Sequence, residues 1–407
     1  MKILQINTVF KNGGSTGRIV YELKNIAEAN GDEAYVAFGY EYQKTYDLNT
    51  FKMESIPRLK FSILQTRLFA GHGFYNKRET RKLIQWMDNI KPDLIHLHNL
   101  HGHYINVELL FNYIKNKKVP VVWTLHDCWA FTGWCAYFDY IGCQKWKDQC
   151  GQCPNKKEYP FSWFLDNSKN NHQKKKKCFQ DVENLTIVTP SKWLKSLVKD
   201  SFLKDYNTMV IHNGIDLKVF YPRNNSIKNK LNINNRKMIL AVAMGMSKRK
   251  GIQYIYELSN KIDTHKEILV VVGIKKAQSS HISSNFIGIP EIHDRNRLVE
   301  LYSAADVFIN PTLEDTFPTT NLEALACGTP VVTFQTGGSP ESVRDGCGYV
   351  VEKGNLQKLW DAIQNVLSQP KNIKECRLTA EKYFDKDLCF RQYLYLYHLI
   401  SGEYEDI

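Results

Sequence analysis

Short runs rich in valine and isoleucine recur along the whole chain, and most of them carry no polar alternation. They fall at residues 3–7, 34–38, 94–98, 119–126, 185–190 and 209–212, then at 238–243, 268–273, 286–289, 306–310, 330–334 and 348–352. A strand that is apolar on both sides must be covered on both faces, which is the pattern of a parallel sheet. Amphipathic stretches with helical spacing fill most of the gaps. Strands and helices in regular alternation build a parallel sheet with helices on both faces, an α/β architecture.

The runs form two sets, and 407 residues exceed what one core usually organises. Two doubly wound, Rossmann-like domains are expected, residues 1–205 and 206–385, facing a central cleft. The last segment, 386–407, is amphipathic and carries Phe390, Tyr393, Tyr395 and Tyr397. No run approaches the roughly 18 apolar residues that span a bilayer. The first residues read as a strand and not as a signal peptide, so a cytoplasmic protein is expected.

Charge narrows the partners. The chain has 54 basic and 42 acidic side chains, a net charge of +12. That excess suits nucleic acid, an anionic membrane surface or phosphorylated small molecules. No nucleic-acid-binding module is visible, so no nucleic-acid partner is expected. The densest basic run, Lys174 to Lys177, reads as a solvated turn of a helix. Residues 56–69 mix Arg58, Lys60 and Arg67 with bulky apolar side chains at helical spacing. A helix lying on a membrane interface and a helix facing the core both fit that pattern.

Two carboxylates carry the chemistry of the second half. Asp315 lies in a loop after the run at 306–310, and Glu323 follows eight positions later in the first turn of a helix expected at 320–327. Helix-start N–H groups at Thr319, Thr320 and Asn321 favour an anion. Hydroxyl-binding acids beside an anion site suit a sugar nucleotide. Lys250, with Arg249, follows the run at 238–243 and supplies the cation that a leaving diphosphate needs. In the first half, Gly13 and Gly14 lie between a strand and a helix, where backbone can approach a ligand closely. His126 and Asp127 end the run at 119–126, the strand end where open α/β sheets bind ligands. His96, His98, His101 and His103 follow each other closely, and a polar lining of the site suits them better than a metal.

The segment from Asp315 to Pro330 resembles the acidic-x7-acidic motif of family 4 glycosyltransferases. That resemblance implies the GT-B architecture, with the C-terminal helix crossing back to the N-terminal domain. It also implies retention of anomeric configuration without a catalytic metal. Asp315 would contact the donor sugar, where the family more often has Glu, and Glu323 the ribose. The Gly13–Gly14 loop would lie beside the diphosphate, and His126 would face the donor sugar. Lys250-Gly251 matches the family's Lys-Gly pair. The family's Arg five residues earlier is Gly245 here, and Arg249 stands in for it. Residues 211–216 resemble the family's domain linker. A UDP- or GDP-sugar donor is implied. So is a saccharide acceptor, lipid-linked and at the inner face of the plasma membrane, in bacterial capsule, exopolysaccharide or O-antigen synthesis. A nucleotide-sugar epimerase of related fold and a non-catalytic polyanion-binding protein are the alternatives.

Ten cysteines are present, and Cys135, Cys143, Cys150 and Cys153 cluster as C-x7-C-x6-C-x2-C. Structural zinc, free thiols and disulfides are all compatible with that spacing, zinc being favoured in a cytosolic setting. The one D-x-D match, Asp385 to Asp387, sits where a helix cap is expected.

Overall fold

The computed structural model describes residues 1–11, 14–40, 49–53, 56–224, 226–233, 235–243, 245–274 and 286–402. Gly13 of the expected glycine loop lies outside the described residues. The chain divides into two compact units, Met1–Ile211 with Phe390–Ile407, and His212–Cys389.

Among the described residues the first unit holds a seven-stranded sheet. Its strands in chain order are β1 (Lys2–Val9), β2 (Glu33–Tyr40), β3 (Thr50–Lys52), β4 (Leu94–Leu97), β5 (Val121–Thr124), β6 (Leu185–Thr189) and β7 (Asn207–Val210). The spatial order is β3-β2-β1-β4-β5-β6-β7, and every pair is parallel. The chain winds outward from β1 through β2 to β3, then returns to the other side of β1 with β4. The winding direction therefore reverses between β1 and β4.

The second unit repeats the plan with six strands among its described residues. They are β8 (Lys237–Val242), β9 (Glu267–Val272), β10 (Phe286–Ile289), β11 (Val307–Asn310), β12 (Val331–Phe334) and β13 (Gly348–Val351). Their order is β10-β9-β8-β11-β12-β13, again all parallel, with the reversal between β8 and β11.

The central strands are apolar throughout because helices cover both faces. β5, Val-Val-Trp-Thr, and β11, Val-Phe-Ile-Asn, are buried at every position. In the first unit Trp123 of β5 packs against Phe111 and Phe179, with ring centroids 5.4 and 4.9 Å away. Truncating such a ring costs about 3–5 kcal/mol. β3 has no counterpart among the expected strands. Three residues at a sheet edge are too few to show a periodicity, and pairing with β2 alone holds them.

The last helix, Lys386–Ser401, begins with a cap in which the Asp387 N–H donates to Asp385 Oδ1 at 2.8 Å. From Phe390 onward it belongs to the first unit. There the Tyr397 hydroxyl bonds His96 Nδ1 at 2.6 Å, His96 Nε2 bonds Thr124 Oγ1 at 2.8 Å, and Thr124 donates to Tyr393 at 3.1 Å. This buried chain of four groups locks the helix to β4 and β5.

Candidate active site

Open α/β sheets bind ligands beyond the carboxyl ends of their strands, where the strand order reverses. In the second unit that point lies between β8 and β11. The loop after β8 carries Arg249 and Lys250, and the loop after β11 carries Asp315. Gly251 lets the loops meet. Its φ is +79°, and a Cβ there would stand 2.0 Å from the Pro311 carbonyl oxygen. Leu313 N–H donates to the Arg249 carbonyl at 2.8 Å, and the Arg249 guanidinium donates to the Glu314 carbonyl at 2.7 Å.

On this frame Lys250 Nζ reaches Asp315 Oδ2 at 2.5 Å. Burial alone would push the Asp315 carboxyl up. The charge and hydrogen bond of Lys250, the charge of Arg249 and the Phe317 N–H outweigh it and hold the carboxyl below its ordinary range. Arg249 is thus tied to the 312–314 loop, in a place to support Lys250 and Asp315.

Glu323 is the fifth residue of the helix Thr319–Ala326, one residue deeper than expected because the helix starts at Thr319. Its Oε2 accepts from the buried Tyr302 hydroxyl at 2.8 Å, which fixes the carboxylate's direction. Nothing in the sequence singled out Tyr302. Thr319 and Thr320 are half-buried at the helix start, where N–H groups have no acceptor within the helix. The Asn321 N–H donates to the Pro318 carbonyl at 3.2 Å. Its buried side chain accepts from Asn310 at 2.8 Å and donates to Ser342 at 2.8 Å and Ser339 at 3.2 Å. It pins the helix to β11 and is not available to a ligand.

The first unit places its polar groups at the ends of β4 and β5, beside its own reversal point. His126 is buried, and its Nε2 lies 3.1 Å from His98 Nδ1, with the rings stacked at 9°. His98 Nε2 faces Gln5 Oε1 at 3.2 Å. The carbonyl oxygen requires Nε2–H on His98, so His98 Nδ1 accepts from Nε2–H of His126, and His126 keeps Nδ1 as its acceptor nitrogen. Burial, partly opposed by Asp127, lowers His126 to about 4, so the ring is neutral at physiological pH.

Asp127 acts on His126 through its charge, but its hydrogen bonds go elsewhere. Asp127 Oδ2 holds His101 Nε2 at 2.7 Å, and Oδ1 accepts the Trp129 N–H at 2.9 Å. His101 Nδ1 continues to the exposed Tyr159 hydroxyl at 2.9 Å. Next to this relay stands His72, buried, with Nδ1 accepting from the Trp129 indole at 3.0 Å. No pattern in the sequence points to His72 or Tyr159, which lie far apart in the chain. Gly14 opens the helix Gly14–Ala29 with φ +78° and is exposed.

Lys175 corrects the reading of the lysine run. Lys174, Lys176 and Lys177 are solvated, but Lys175 is fully buried. Its ammonium donates to the Trp129 carbonyl at 2.7 Å and the Thr132 carbonyl at 3.0 Å, 3.4 Å from the Trp129 ring centroid. It anchors the segment from which the Asp127–His101 pair projects.

Cys135, Cys143, Cys150 and Cys153 line one small cavity of about 20 Å³. All ten cysteines are free thiols, so the disulfide alternative is set aside. Cys135 bonds Cys153, and the Gly133 N–H donates to Cys150 Sγ at 3.2 Å. Among the described residues no three His, Cys, Asp or Glu side chains are placed to hold a metal ion. The zinc expectation for the four cysteines therefore finds no support in their arrangement. Among the same residues no helix is long and apolar enough to cross a membrane.

Comparison with known proteins matches this geometry to a family. Residues 16–219 match the family described as Glycosyltransferase Family 4, and residues 223–383 match Glycosyl transferases group 1. WcaC of Escherichia coli (strain K12), whose name marks it as a candidate colanic acid biosynthesis glycosyl transferase, is 25% identical over 383 residues. The match covers 88% of this chain and 89% of WcaC. The N,N'-diacetylbacillosaminyl-diphospho-undecaprenol alpha-1,3-N-acetylgalactosaminyltransferase of Campylobacter jejuni is 27% identical over 209 residues, 48% of this chain and 55% of that enzyme. HepE of Anabaena, solved in complex with UDP-glucose, superposes with a TM-score of 0.65 at 16% identity, covering 98% of this chain and all of HepE.

Proposed function

The chain belongs to glycosyltransferase family 4, with the GT-B fold, and from that premise we propose a retaining enzyme of bacterial surface polysaccharide synthesis. It moves a sugar from a UDP- or GDP-sugar to a hydroxyl of a lipid-linked saccharide. The observation that carries this reading is the Lys250–Asp315 pair beyond the reversal of the second sheet, with Glu323 held by Tyr302 on the adjoining helix. A UDP-glucose complex of HepE and the diphospho-undecaprenol substrate in the Campylobacter enzyme's name support the donor and acceptor classes.

Each group then has a task. Glu323 accepts hydrogen bonds from the ribose hydroxyls. Lys250 turns from Asp315 to the diphosphate and stabilises the negative charge that develops as the sugar departs. The N–H groups of Thr319 and Thr320 add to that stabilisation. Asp315, released from Lys250, holds a sugar hydroxyl. His126 presents a neutral ring to the donor sugar without repelling an oxocarbenium-like centre. Gly14, at its helix start, lets backbone approach phosphate and acceptor. The acceptor hydroxyl attacks the face that the leaving group vacates, so no protein nucleophile is needed. Positioning and preorganised charge supply the rate.

The test is transfer from a panel of nucleotide sugars to a lipid-linked saccharide, with proton NMR of the product's anomeric centre. An axial donor linkage is expected to give an axial product. Inversion contradicts the retaining reading, and no transfer from any nucleotide sugar contradicts the whole.

A further inference from the structure

The sequence left residues 56–69 open between a core helix and an interfacial one. In the structure the helix Ile56–Phe69 turns Pro57, Lys60, Phe61, Leu64 and Arg67 outward, at the three- and four-residue spacing of one helical face. Thr66 and Ser62, small and polar, face inward. A surface helix ordinarily does the reverse. Phe61 is 61% exposed, and Phe69 at the helix end is exposed as well.

A second element enlarges this face. The loop at 161–165 lies against the helix end. Trp163 N–H donates to the Arg67 carbonyl at 3.0 Å, and Ser162 Oγ donates to the same oxygen at 3.4 Å. The Arg67 guanidinium stands 5.8 Å from the centres of both the Phe161 and Trp163 rings. Beyond it Trp163, Leu165 and Phe164, the last 73% exposed, point to solvent. Phe61 and Leu64 thus share the outward face of the helix with Arg67, whose guanidinium joins that face to Trp163 and the exposed loop, and Phe69 lies exposed at the helix end. Bulky apolar groups gathered on one exposed face mark a contact surface.

The charges say what it contacts. The helix has Arg58, Lys60 and Arg67 and no acid. Arg58 is paired with Glu79, while Lys60 and Arg67 lie among the exposed apolar groups. The loop adds Lys156 and Lys157 against Glu158 and Asp166, and Asp166 is held by the Cys153 and Ser168 N–H groups, so the basic excess of this face comes from Lys60 and Arg67. A partner face that is apolar alone would leave this basic rim unmatched. A bilayer with anionic headgroups uses both features: rings enter at headgroup depth, and lysine and arginine meet phosphate.

We infer that the helix Ile56–Phe69 and the loop at 161–165 form a dock for an anionic lipid surface. The inference builds on the membrane-linked acceptor proposed above, but vesicle binding is read without donor or acceptor, so the two can fail separately. The dock sits beside the His103–Thr66 contact, where Thr66 Oγ1 lies 3.0 Å from His103 Nδ1, and so lies next to the histidine cluster.

The experiment is co-sedimentation of the full chain with vesicles of phosphatidylcholine alone and of phosphatidylcholine mixed with phosphatidylglycerol. Binding is expected only to the mixed vesicles and should weaken as salt is raised. Phe164→Ser with Phe61→Ser should lower vesicle affinity by about tenfold or more, and Lys60→Gln with Arg67→Gln should remove the preference for the anionic lipid. Equal melting temperatures establish that the variants fold. Arg67 holds the Phe161 and Trp163 rings, so Lys60→Gln alone serves where the double variant unfolds. No binding of the wild type, or binding unchanged in the variants, overturns the inference. So does a concentration-dependent dimer in sedimentation that Phe164→Ser dissolves, because the face then belongs to a second copy.

Discussion

Replacing Lys250 by Met separates the two jobs assigned to its ammonium. Without a donor, the ammonium balances Asp315. Two unit charges about 4 Å apart attract by about 4 kcal/mol at an effective dielectric constant near 20. Side-chain exposures of 24% for Lys250 and 16% for Asp315 leave solvent access to both, so we expect the variant to lose about 1–2 kcal/mol of stability. That is a fall of roughly 2–8 °C in melting temperature for a unit of this size. Catalysis should suffer more. Losing one preorganised charge at the leaving group costs about 10²–10³ in rate. The double variant Lys250→Met, Asp315→Asn should recover most of the stability, since no unbalanced carboxylate remains, and none of the activity. The pair's share of stability is present above the ordinary Asp value and is lost as pH falls through the lowered folded value, so the loss belongs to acid solution. Thermal melts and nucleotide-release kinetics measure the two effects. Transfer by Lys250→Met within about threefold of wild type refutes the assignment.

Three further outcomes follow from the packing. His72, His96, His98, His103 and His126 are all held low by burial, about 4 for His103 and His126. The stability they contribute is complete above the unfolded value near 6.5 and is lost as pH falls through the folded values. Urea melts at pH 7 and 5 should therefore show lower stability at pH 5, by about 1.4 kcal/mol per pH unit below 6.5 for each of His103 and His126, and an unchanged midpoint argues against neutral burial. Lys175→Met removes the donor from two carbonyls and the cation from the Trp129 face, and should cost about 2–4 kcal/mol in the same melts. Gly251→Ala drives a Cβ into the Pro311 carbonyl, so the loops must separate. Stability should drop by at least about 1 kcal/mol, and activity should fall with it as Lys250 leaves Asp315.

Much of this was legible because the strands are apolar and the helices amphipathic. Burial on both faces writes itself into β5 and β11 as unbroken apolar runs, and the aromatic spacing of the last helix announced a packed face, with Tyr393 and Tyr397 inward and Tyr395 outward. Asp315 and Lys250 stand out in the sequence because each lies in the loop after such a run. Partners brought together from distant segments were not. Asp127 is adjacent to His126 in sequence but bonds His101, and Tyr302 reaches Glu323 from a helix 21 residues earlier. Lys175 looks like its solvated neighbours, yet it shares a buried face with Asn171, His172 and Cys178 of its helix. Asn321, polar and at a helix start, has its side-chain amide taken up between Asn310 and Ser342, which no local pattern shows.

The most direct test of the donor site is thermal unfolding against UDP-, GDP-, ADP- and CMP-sugars, with Glu323→Ala beside the wild type. A ligand at about 100 times its dissociation constant adds roughly 2.7 kcal/mol. One donor should raise the wild-type transition and leave that of Glu323→Ala unmoved. If no nucleotide sugar shifts the wild type, or if the variant responds equally, Glu323 does not hold a ribose and the donor site lies elsewhere.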